Sequence, residues 1–117
     1  MNEIKFYKVG DAYGNFSNFA PFPIFLGNES WPTVEHYFQA SKFEDHLIKK
    51  KIRSLSSPMH AVKEGRSRKN VLRTDWENVK DDVMLKSLQA KFKQHPSLRK
   101  ELLLTGNSNI IEHSCID

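Results

Sequence analysis

The stretch that decides the fold covers residues 31–43 and reads WPTVEHYFQASKF. Its Thr33 has the side chain of a helix N-cap, and the residues that follow predict a helix from Val34 to about Glu44. Directly upstream, short apolar runs flank Gly27-Asn28, a dipeptide that favours a tight turn. A β-hairpin over Pro23 to Trp31 is therefore expected to lead into this helix.

Caps, stop residues and apolar periodicity predict four more helices. The first runs from about Asp45 to Leu55, the second begins at Ser57-Pro58 and stops at Gly65, and the last runs from Pro96 through Leu104 and ends at Gly106. The helix between them is capped by Asp75. One of its faces carries an apolar stripe of Trp76, Val79, Val83, Leu88 and Phe92, and the opposite face carries Asp81, Asp82 and Lys86. Short strands are expected at Ile4 to Val9 and around Ile110 and Ile111. The predicted class is α+β: a mostly helical single domain over residues 1–117, with a few short N-terminal strands.

Length and composition set the broad class of protein. A chain of 117 residues, 38% of them hydrophobic, can bury one core but leaves no room for a second domain. No apolar run approaches the roughly 20 residues of a membrane span, and the N-terminus lacks the apolar segment of a signal peptide. The single cysteine, Cys115, cannot form an internal disulfide. We therefore expect a cytoplasmic protein without a membrane partner, and the sequence leaves the oligomeric state open.

The charge balance is mildly basic, with 18 Lys and Arg against 14 Asp and Glu, a net charge of +4. The run Lys49-Lys50-Lys51-Ile52-Arg53 is best interpreted as a solvated helix face. The run Arg66-Ser67-Arg68-Lys69 suits the binding of an anion such as phosphate better. A general nucleic-acid binder is a weaker hypothesis, because the chain has no RNP motif, zinc finger or long basic stripe.

A row of polar side chains is the first candidate site. Glu35, Gln39 and Lys42 are spaced i, i+4 and i+7, so a helix projects all three from one face. A carboxylate, a carboxamide and an amine beside aromatic residues can hold a sugar and move protons. Alone, such a row is more often an ordinary polar strip on an amphipathic helix.

Other motifs argue against a metal site, a phosphate-binding loop and a catalytic cysteine. Glu35-His36 resembles part of a zinc-binding helix, but Ala40 stands where the second histidine is needed. The remaining histidines show no ligand spacing, so we expect no metal and no cofactor. Gly65-Arg66 lacks the spaced glycines and the Lys-Ser/Thr ending of a phosphate loop. Cys115 lies two residues from His113, but a buried or merely exposed thiol is expected rather than a catalytic pair.

The chain also resembles the NADAR, or YbiA-like, family over nearly its whole length. The motifs that carry the resemblance are Phe6-Tyr7, Tyr13-Gly14-Asn15-Phe16-Ser17-Asn18-Phe19, Trp31-Pro32-Thr33, Glu35-His36-Tyr37-Phe38-Gln39-Ala40, Lys42-Phe43, Ser56-Ser57-Pro58, Gly65-Arg66, Leu72-Arg73, Trp76-Glu77, Val79-Lys80, Ala90-Lys91-Phe92, Leu102-Leu103-Leu104-Thr105 and Glu112-His113. Their order and spacing are specific well beyond composition.

The resemblance implies an N-glycosidase, which hydrolyses the bond between a ribosyl carbon and a nitrogen. Some members act on phosphoribosylamino-pyrimidines of riboflavin biosynthesis, and others resemble ADP-ribosyl glycohydrolases that act on modified guanine. The implied partner is thus a small phosphoribosyl or ADP-ribosyl substrate, and nucleic acid enters as the carrier of a modified base. The alternative is an inactive or slow module that binds phosphoribosyl or ADP-ribose.

The resemblance also implies roles for individual residues. The carboxylate of Glu35 would stabilise cationic character at the anomeric carbon, or the amine of Lys42 would attack the opened sugar to form a Schiff base. Trp76 would stack on the base or sugar; a core anchor is nearly as good an interpretation. The implied substrate-binding residues are Asn18, Phe19, Tyr37, Gln39, Arg66 and Arg73, the two arginines as phosphate ligands.

The C-terminal end departs from the family pattern. Members usually continue past the match to Glu112-His113 into a Trp-Gly-Asp-Gly turn and a Gly-Lys-Asn segment, which bring an acidic residue held to be catalytic. The sequence given by residues 1–117 ends at Asp117 without these motifs. The expectation is a C-terminally short domain, with three alternatives: a truncated gene product, a partner chain that supplies the rest, or a reduced site that suffices.

Overall fold

A computed structural model of the chain describes residues 3–6, 14–104 and 109–112, the first and last of these as backbone alone. The elements in chain order are β1 (Glu3–Phe6), a 3₁₀ turn (Gly14–Phe16), β2 (Ile24–Leu26), β3 (Glu29–Trp31), α1 (Val34–Ala40), α2 (His46–Arg53), α3 (Pro58–Arg66), α4 (Trp76–Gln94), α5 (Pro96–Leu104) and β4 (Asn109–Glu112). The prediction of a mostly helical α+β protein is confirmed. Cys115, His113 and Gly106 lie outside the described residues.

The strands form two small sheets. β2 and β3 pair antiparallel, with Leu26 opposite Glu29 at the turn. Gly27 (φ 63°) and Asn28 (φ 65°) both lie in the left-handed region, as a two-residue primed turn requires, so the predicted hairpin is confirmed. β1 pairs in parallel with β4. The N-terminal strand therefore finds its partner at the far end of the described chain.

The side chain of Gln94 closes the outer edge of the hairpin. Its Oε1 accepts a hydrogen bond from the backbone N–H of Phe25 at 2.7 Å, and its Nε2 donates to the carbonyl of the same residue at 3.0 Å. The amide thus takes the place of a neighbouring strand along this edge. This contact ties β2 to the C-terminal end of α4.

Helix α1 lies at the centre of the structure, in contact with β3, α2, α3 and α4. Six of its seven residues are buried, and only Tyr37 is half-exposed. The surrounding hydrophobic core consists of Ile24, Trp31, Val34, Ala40, Phe43, Ile52, Ala61 and Ala90. A helix that is buried on all sides places its polar side chains in a closed environment as well.

The end of α1 differs from the prediction, because the helix stops at Ala40 instead of Glu44. The chain then tightens: Lys42 N–H donates to the Gln39 carbonyl and Phe43 N–H to the Ala40 carbonyl, each at 3.2 Å. These i→i+3 bonds are of the 3₁₀ type, in which side chains three apart eclipse. Lys42 therefore lies above Gln39 although it stands outside the helix.

The predicted N-caps are confirmed at α1 and α3, and the predicted cap of α4 is wrong. Thr33 Oγ1 accepts from the His36 N–H at 3.1 Å, and Ser57 Oγ accepts from the His60 N–H at 3.2 Å. Asp75 occupies the N-cap position of α4 but makes no capping bond. Its carboxylate instead pairs with Arg73, at 2.6 Å from Nε and 2.9 Å from Nη2.

The apolar stripe predicted for α4 lies on the more buried side of the helix, opposite the exposed Asp81, Asp82 and Lys86. Trp76 is buried, but Val79, Val83, Leu88 and Phe92 are only half-buried, whereas Ser87 and Lys91 are fully buried. Lys91 is buried because its ammonium group bonds the Ser17 carbonyl of the loop before the hairpin, and Ser87 because its hydroxyl bonds the Met84 carbonyl of its own helix. No helix among the described residues combines the length and apolarity that a membrane span requires.

Candidate functional site

The polar row predicted from the sequence is present and buried. Glu35 and Gln39 have no exposed surface, and Lys42 is 3% exposed. Nε2 of Gln39 donates a short hydrogen bond of 2.5 Å to Oε2 of Glu35. A carboxylate held this way inside a folded domain is expensive to bury and is characteristic of functional sites.

His36 belongs to the other side of α1. Its Nε2 lies 3.0 Å from the Leu55 carbonyl, an acceptor, so that nitrogen carries a proton. Nδ1 lies 2.8 Å from Oγ1 of Thr33 and accepts the hydroxyl proton when the ring is neutral. Burial lowers the pKa of His36, and the bond to the Leu55 carbonyl opposes this shift. The side chain locks α1 to the segment before α3 rather than joining the polar row.

The loop before the hairpin supplies the N-terminal edge of the site. The backbone carbonyl of Asn18 accepts from the Glu35 N–H at 3.1 Å. The side-chain Nδ2 of Asn18, itself fully buried, donates to Sδ of Met84 at 3.4 Å. Phe19 follows, half-buried, with its N–H on Oγ of Ser17. Asn18 thus lies beside Glu35, and Phe19 is its neighbour in the chain.

An aromatic pair borders the row at its other end. The rings of Phe38 and Trp76 meet edge to face with centroids 5.1 Å apart. Nζ of Lys42 lies 5.9 Å from the Phe38 centroid, within the range of a cation–π contact. Trp76 is 4% exposed. Both interpretations of this tryptophan, core anchor and wall of a site, fit its position.

Gly65 brings α3 against the row. A Cβ at this position would lie 1.9 Å from Oε1 and 3.1 Å from Cβ of Gln39. The glycine was predicted to stop the helix, but α3 continues to Arg66. Close approach to Gln39, rather than a left-handed stop, therefore explains the residue. The exposed Arg66 comes next in the chain.

Arg73 links the segment after α1 to the start of α4, and we call this structural role a clamp. Its N–H donates to the Lys42 carbonyl at 2.8 Å, and its Nη1 donates to the Ser41 carbonyl at 3.4 Å. The hydrogen bond with Asp75 raises the pKa of Arg73 and lowers that of Asp75. The adjoining cleft, about 540 Å³, is lined by carboxylates of Glu44 and Asp45 as well as by cations, and so shows no preference for an anion.

Tyr37 is the predicted site residue that the structure sets apart. It lies on the face of α1 opposite the row, with its ring edge-on to Trp31 at 5.3 Å between centroids. Both line a separate cleft of about 230 Å³ under the hairpin. Among the described residues, no three His, Cys, Asp or Glu side chains converge on a point that could hold a metal ion.

Sequence reasoning missed two residues of α4 that contact this site, Met84 and Lys91. Lys91 is 1% exposed, and its Nζ donates to the Ser17 carbonyl at 2.7 Å. The available signal was its place within Ala90-Lys91-Phe92, a lysine between two residues that face the core.

Comparison with known proteins gives consistent matches. Residues 5–117 match the NADAR domain. N-glycosidase YbiA of Escherichia coli is 51% identical over 111 residues, which cover 95% of this chain and 69% of the relative. An N-glycosidase of Nostoc punctiforme is 41% identical, with 97% and 75% covered. Riboflavin biosynthesis protein PYRR, chloroplastic, of Zea mays is 41% identical, with 97% and 20% covered. The NMR structure of E. coli YbiA aligns with a TM-score of 0.84 at 51% identity, over 96% of this chain and 67% of that one.

Proposed function

Because the chain belongs to the NADAR domain family, we propose that it is an N-glycosidase that hydrolyses a ribose–nitrogen bond. The single observation that carries the proposal is the buried Glu35–Gln39 pair, on a chain 51% identical to a named N-glycosidase. The proposed substrate is a phosphoribosylamino-pyrimidine or an ADP-ribosyl-guanine. The proposed compartment is the cytoplasm, to which a single cysteine is suited.

The proposed chemistry assigns the charge to Glu35. As the bond between the anomeric carbon and nitrogen breaks, its electron pair leaves with the nitrogen, which takes a proton, and the sugar carbon becomes cationic. A fixed carboxylate stabilises that cation, and water then adds to the carbon. The hydrogen bond from Gln39 fixes the orientation of the carboxylate before the substrate arrives.

Lys42 offers a second route through the same site. Its amine would attack the anomeric carbon, expel the nitrogen base and form a Schiff base with the opened sugar, which water hydrolyses. Its position above Gln39 and beside the Phe38 ring supports contact with the same substrate. Borohydride separates the routes, because it reduces a Schiff base to a stable amine and adds the sugar mass to the Lys42 peptide.

The proposed binding residues lie in three places. Trp76, Asn18 and Phe19 would contact the base and sugar beside the row, supported by the Phe38–Trp76 pair and by the bond from Glu35 N–H to Asn18. Arg66 and Arg73 are the proposed phosphate ligands, and Arg66 is the better placed because it is exposed and follows Gly65. Tyr37, on the opposite face, would contact substrate only through its own cleft.

Of the two substrate classes, the phosphoribosylamino-pyrimidine is favoured by one observation. A maize relative, 41% identical over 97% of this chain, is named a riboflavin biosynthesis protein. The ADP-ribosyl class has no equivalent support among these relatives, although a net charge of +4 suits either anion.

The experiment that tests the proposal is product analysis by mass spectrometry. The purified chain is incubated in parallel with a ribosylamino-pyrimidine phosphate and with an oligonucleotide that carries ADP-ribosylated guanine. Release of ribose phosphate from the first, at a rate proportional to protein concentration, is expected. No release from either substrate by a folded chain that still binds them would contradict the proposal and favour a binding module.

A further inference from the structure

Lys91 on α4 is a buried charged residue to which the proposed mechanism assigns no role. It is 1% exposed and among the largest fully buried side chains of the described residues. Lysine is almost never fully buried unless its ammonium group is paired, because removing the charge from water is costly. An apolar side chain at this core position would avoid that cost. The presence of an amine here therefore calls for a specific interaction.

Two contacts of the Lys91 ammonium group lie on the loop that precedes the hairpin. Nζ donates to the Ser17 carbonyl at 2.7 Å, a charge-assisted hydrogen bond that spans 74 positions of sequence. The same nitrogen lies 5.5 Å from the centroid of the Phe22 ring. The next residue of the helix, Phe92, packs against Phe16 with centroids 5.7 Å apart. This end of α4 thus holds the loop at three points.

The held peptide leads directly to the polar row. The residue after Ser17 is Asn18, whose carbonyl accepts the N–H of Glu35. From Lys91 to Glu35 the path is a hydrogen bond to the Ser17 carbonyl, the two consecutive peptide units that meet at the Asn18 Cα, and a second hydrogen bond from the Asn18 carbonyl. A shift of the loop would move the acceptor at the first turn of α1 and with it the carboxylate.

We propose that Lys91 is a positioning residue, whose ammonium group fixes the Ser17–Asn18 peptide and thereby sets the place of Glu35. It acts through the loop and touches neither substrate nor the reacting atoms. The structural half of this inference stands on the hydrogen bonds alone, whereas its consequence for turnover rests on the proposed function.

Amide hydrogen exchange tests the structural half without any substrate. In Lys91→Met, which keeps most of the side-chain volume but removes the donor, the Glu35 amide should exchange at least about tenfold faster, because its acceptor loop is loosened. The Ala61 amide of α3, bonded to the Ser57 carbonyl at 3.2 Å, reports any general loss of stability. Lys93→Met, on the exposed side of the same helix, is the matched control and should leave the Glu35 amide unchanged.

A folded Lys91→Met protein in which Glu35 and Ala61 exchange as in the wild type would overturn the inference. So would equal acceleration of both amides, because that reports global destabilisation. If Lys91→Met does not fold, Lys91→Gln serves instead, since its neutral amide is one bond shorter than the amine. The same selective acceleration at Glu35 is expected.

Kinetics then tests the consequence. A displaced carboxylate should lower kcat by roughly tenfold to a hundredfold, while KM changes much less because the binding residues remain. Lys91→Arg keeps a charged donor and should recover part of kcat. A rise in KM of that size with unchanged kcat would contradict the positioning role. If the wild type has no N-glycosidase activity, only the proposed function fails, and the exchange measurement still decides the inference.

Discussion

Gly65 of α3 and Gln39 of α1 are in direct contact, and a Cβ on the glycine would lie 1.9 Å from the Oε1 atom of the glutamine. The same glutamine donates to Glu35 through its Nε2 at 2.5 Å. The spacing between the two helices and the orientation of the proposed catalytic carboxylate are therefore set by one side chain.

Gly65→Ala should damage both stability and activity. The added methyl group forces Gln39 to move, and a fully buried side chain has little room to do so. Overpacking of this kind costs about 1–3 kcal/mol of unfolding free energy. Urea denaturation measures that loss, and a parallel fall in kcat is expected because the displaced amide no longer orients Glu35.

A second substitution identifies the contact as the cause. In a Gln39→Ser background the two closest atoms, Oε1 and Cδ, are absent, so Gly65→Ala should cost much less than in the wild type. Lys63→Ala, at an exposed position of the same helix, should change stability by less than about 0.5 kcal/mol. Equal costs for Gly65→Ala in both backgrounds would show that the contact with Gln39 is not what the alanine disturbs.

The stability of the fold should fall in mild acid because of His36. Burial lowers the pKa of this ring below the ordinary 6.5, so the unfolded chain takes up the proton first as pH falls. More protons bound in the unfolded state means that stability decreases as pH drops from about 6.5 towards the folded pKa, by at most about 1.4 kcal/mol per pH unit. Denaturation midpoints between pH 8 and pH 5 measure this slope.

His36→Gln is the control for that titration. A glutamine amide can still donate to the Leu55 carbonyl, so the variant is expected to fold, but it does not titrate. Its stability should change less between pH 8 and pH 5 than that of the wild type. An identical pH slope in both proteins would mean that another group is responsible.

Local sequence signals predicted the elements of the fold well. Thr33 and Ser57 cap their helices because the capping oxygen and its N–H partner lie within one turn of chain. The Gly27-Asn28 turn is local for the same reason. The row of Glu35, Gln39 and Lys42 followed from helical spacing, even though the last of these lies beyond the helix end.

Interactions between distant segments could not be predicted in this way. Asp75 is in the position of a helix cap, but its carboxylate bonds Arg73 instead of the helix N–H groups. Arg73 is held there by the Ser41 and Lys42 carbonyls, which directly follow α1. Gly65 reads as a helix stop, but its purpose is set by a residue of another helix. The burial of Lys91 depends on a carbonyl 74 positions away. Each of these contacts depends on how distant segments pack together, and the spacing of residues along one segment does not predict that packing.

Arg73→Lys distinguishes two roles of Arg73, a structural link between α1 and α4 and a phosphate ligand. The guanidinium of Arg73 bonds both carboxylate oxygens of Asp75 and also the Ser41 carbonyl, and a lysine cannot reproduce this fork. The side chains are 25% and 43% exposed, so solvent screens this ion pair and we expect only a small loss of unfolding free energy. Calorimetric or urea unfolding measures it.

The substrate KM gives the other half of that test. If Arg73 acts mainly as the clamp, Arg73→Lys should leave KM within about twofold, whereas Arg66→Ala should raise it by roughly tenfold, the effect of one lost charged hydrogen bond. A large rise in KM with unchanged stability in Arg73→Lys would instead place this guanidinium on the phosphate.

The turnover of Glu35→Gln beside wild type tests the central claim most directly. The amide oxygen that this substitution introduces can still accept the hydrogen bond from Gln39, so the variant should fold and lose only the negative charge. Product release should fall by about a hundredfold or more, as with the loss of one preorganised stabilising group, while Glu77→Gln at an exposed position of α4 should be unaffected. Turnover of Glu35→Gln equal to that of the wild type would contradict the assignment of the reaction to this buried carboxylate.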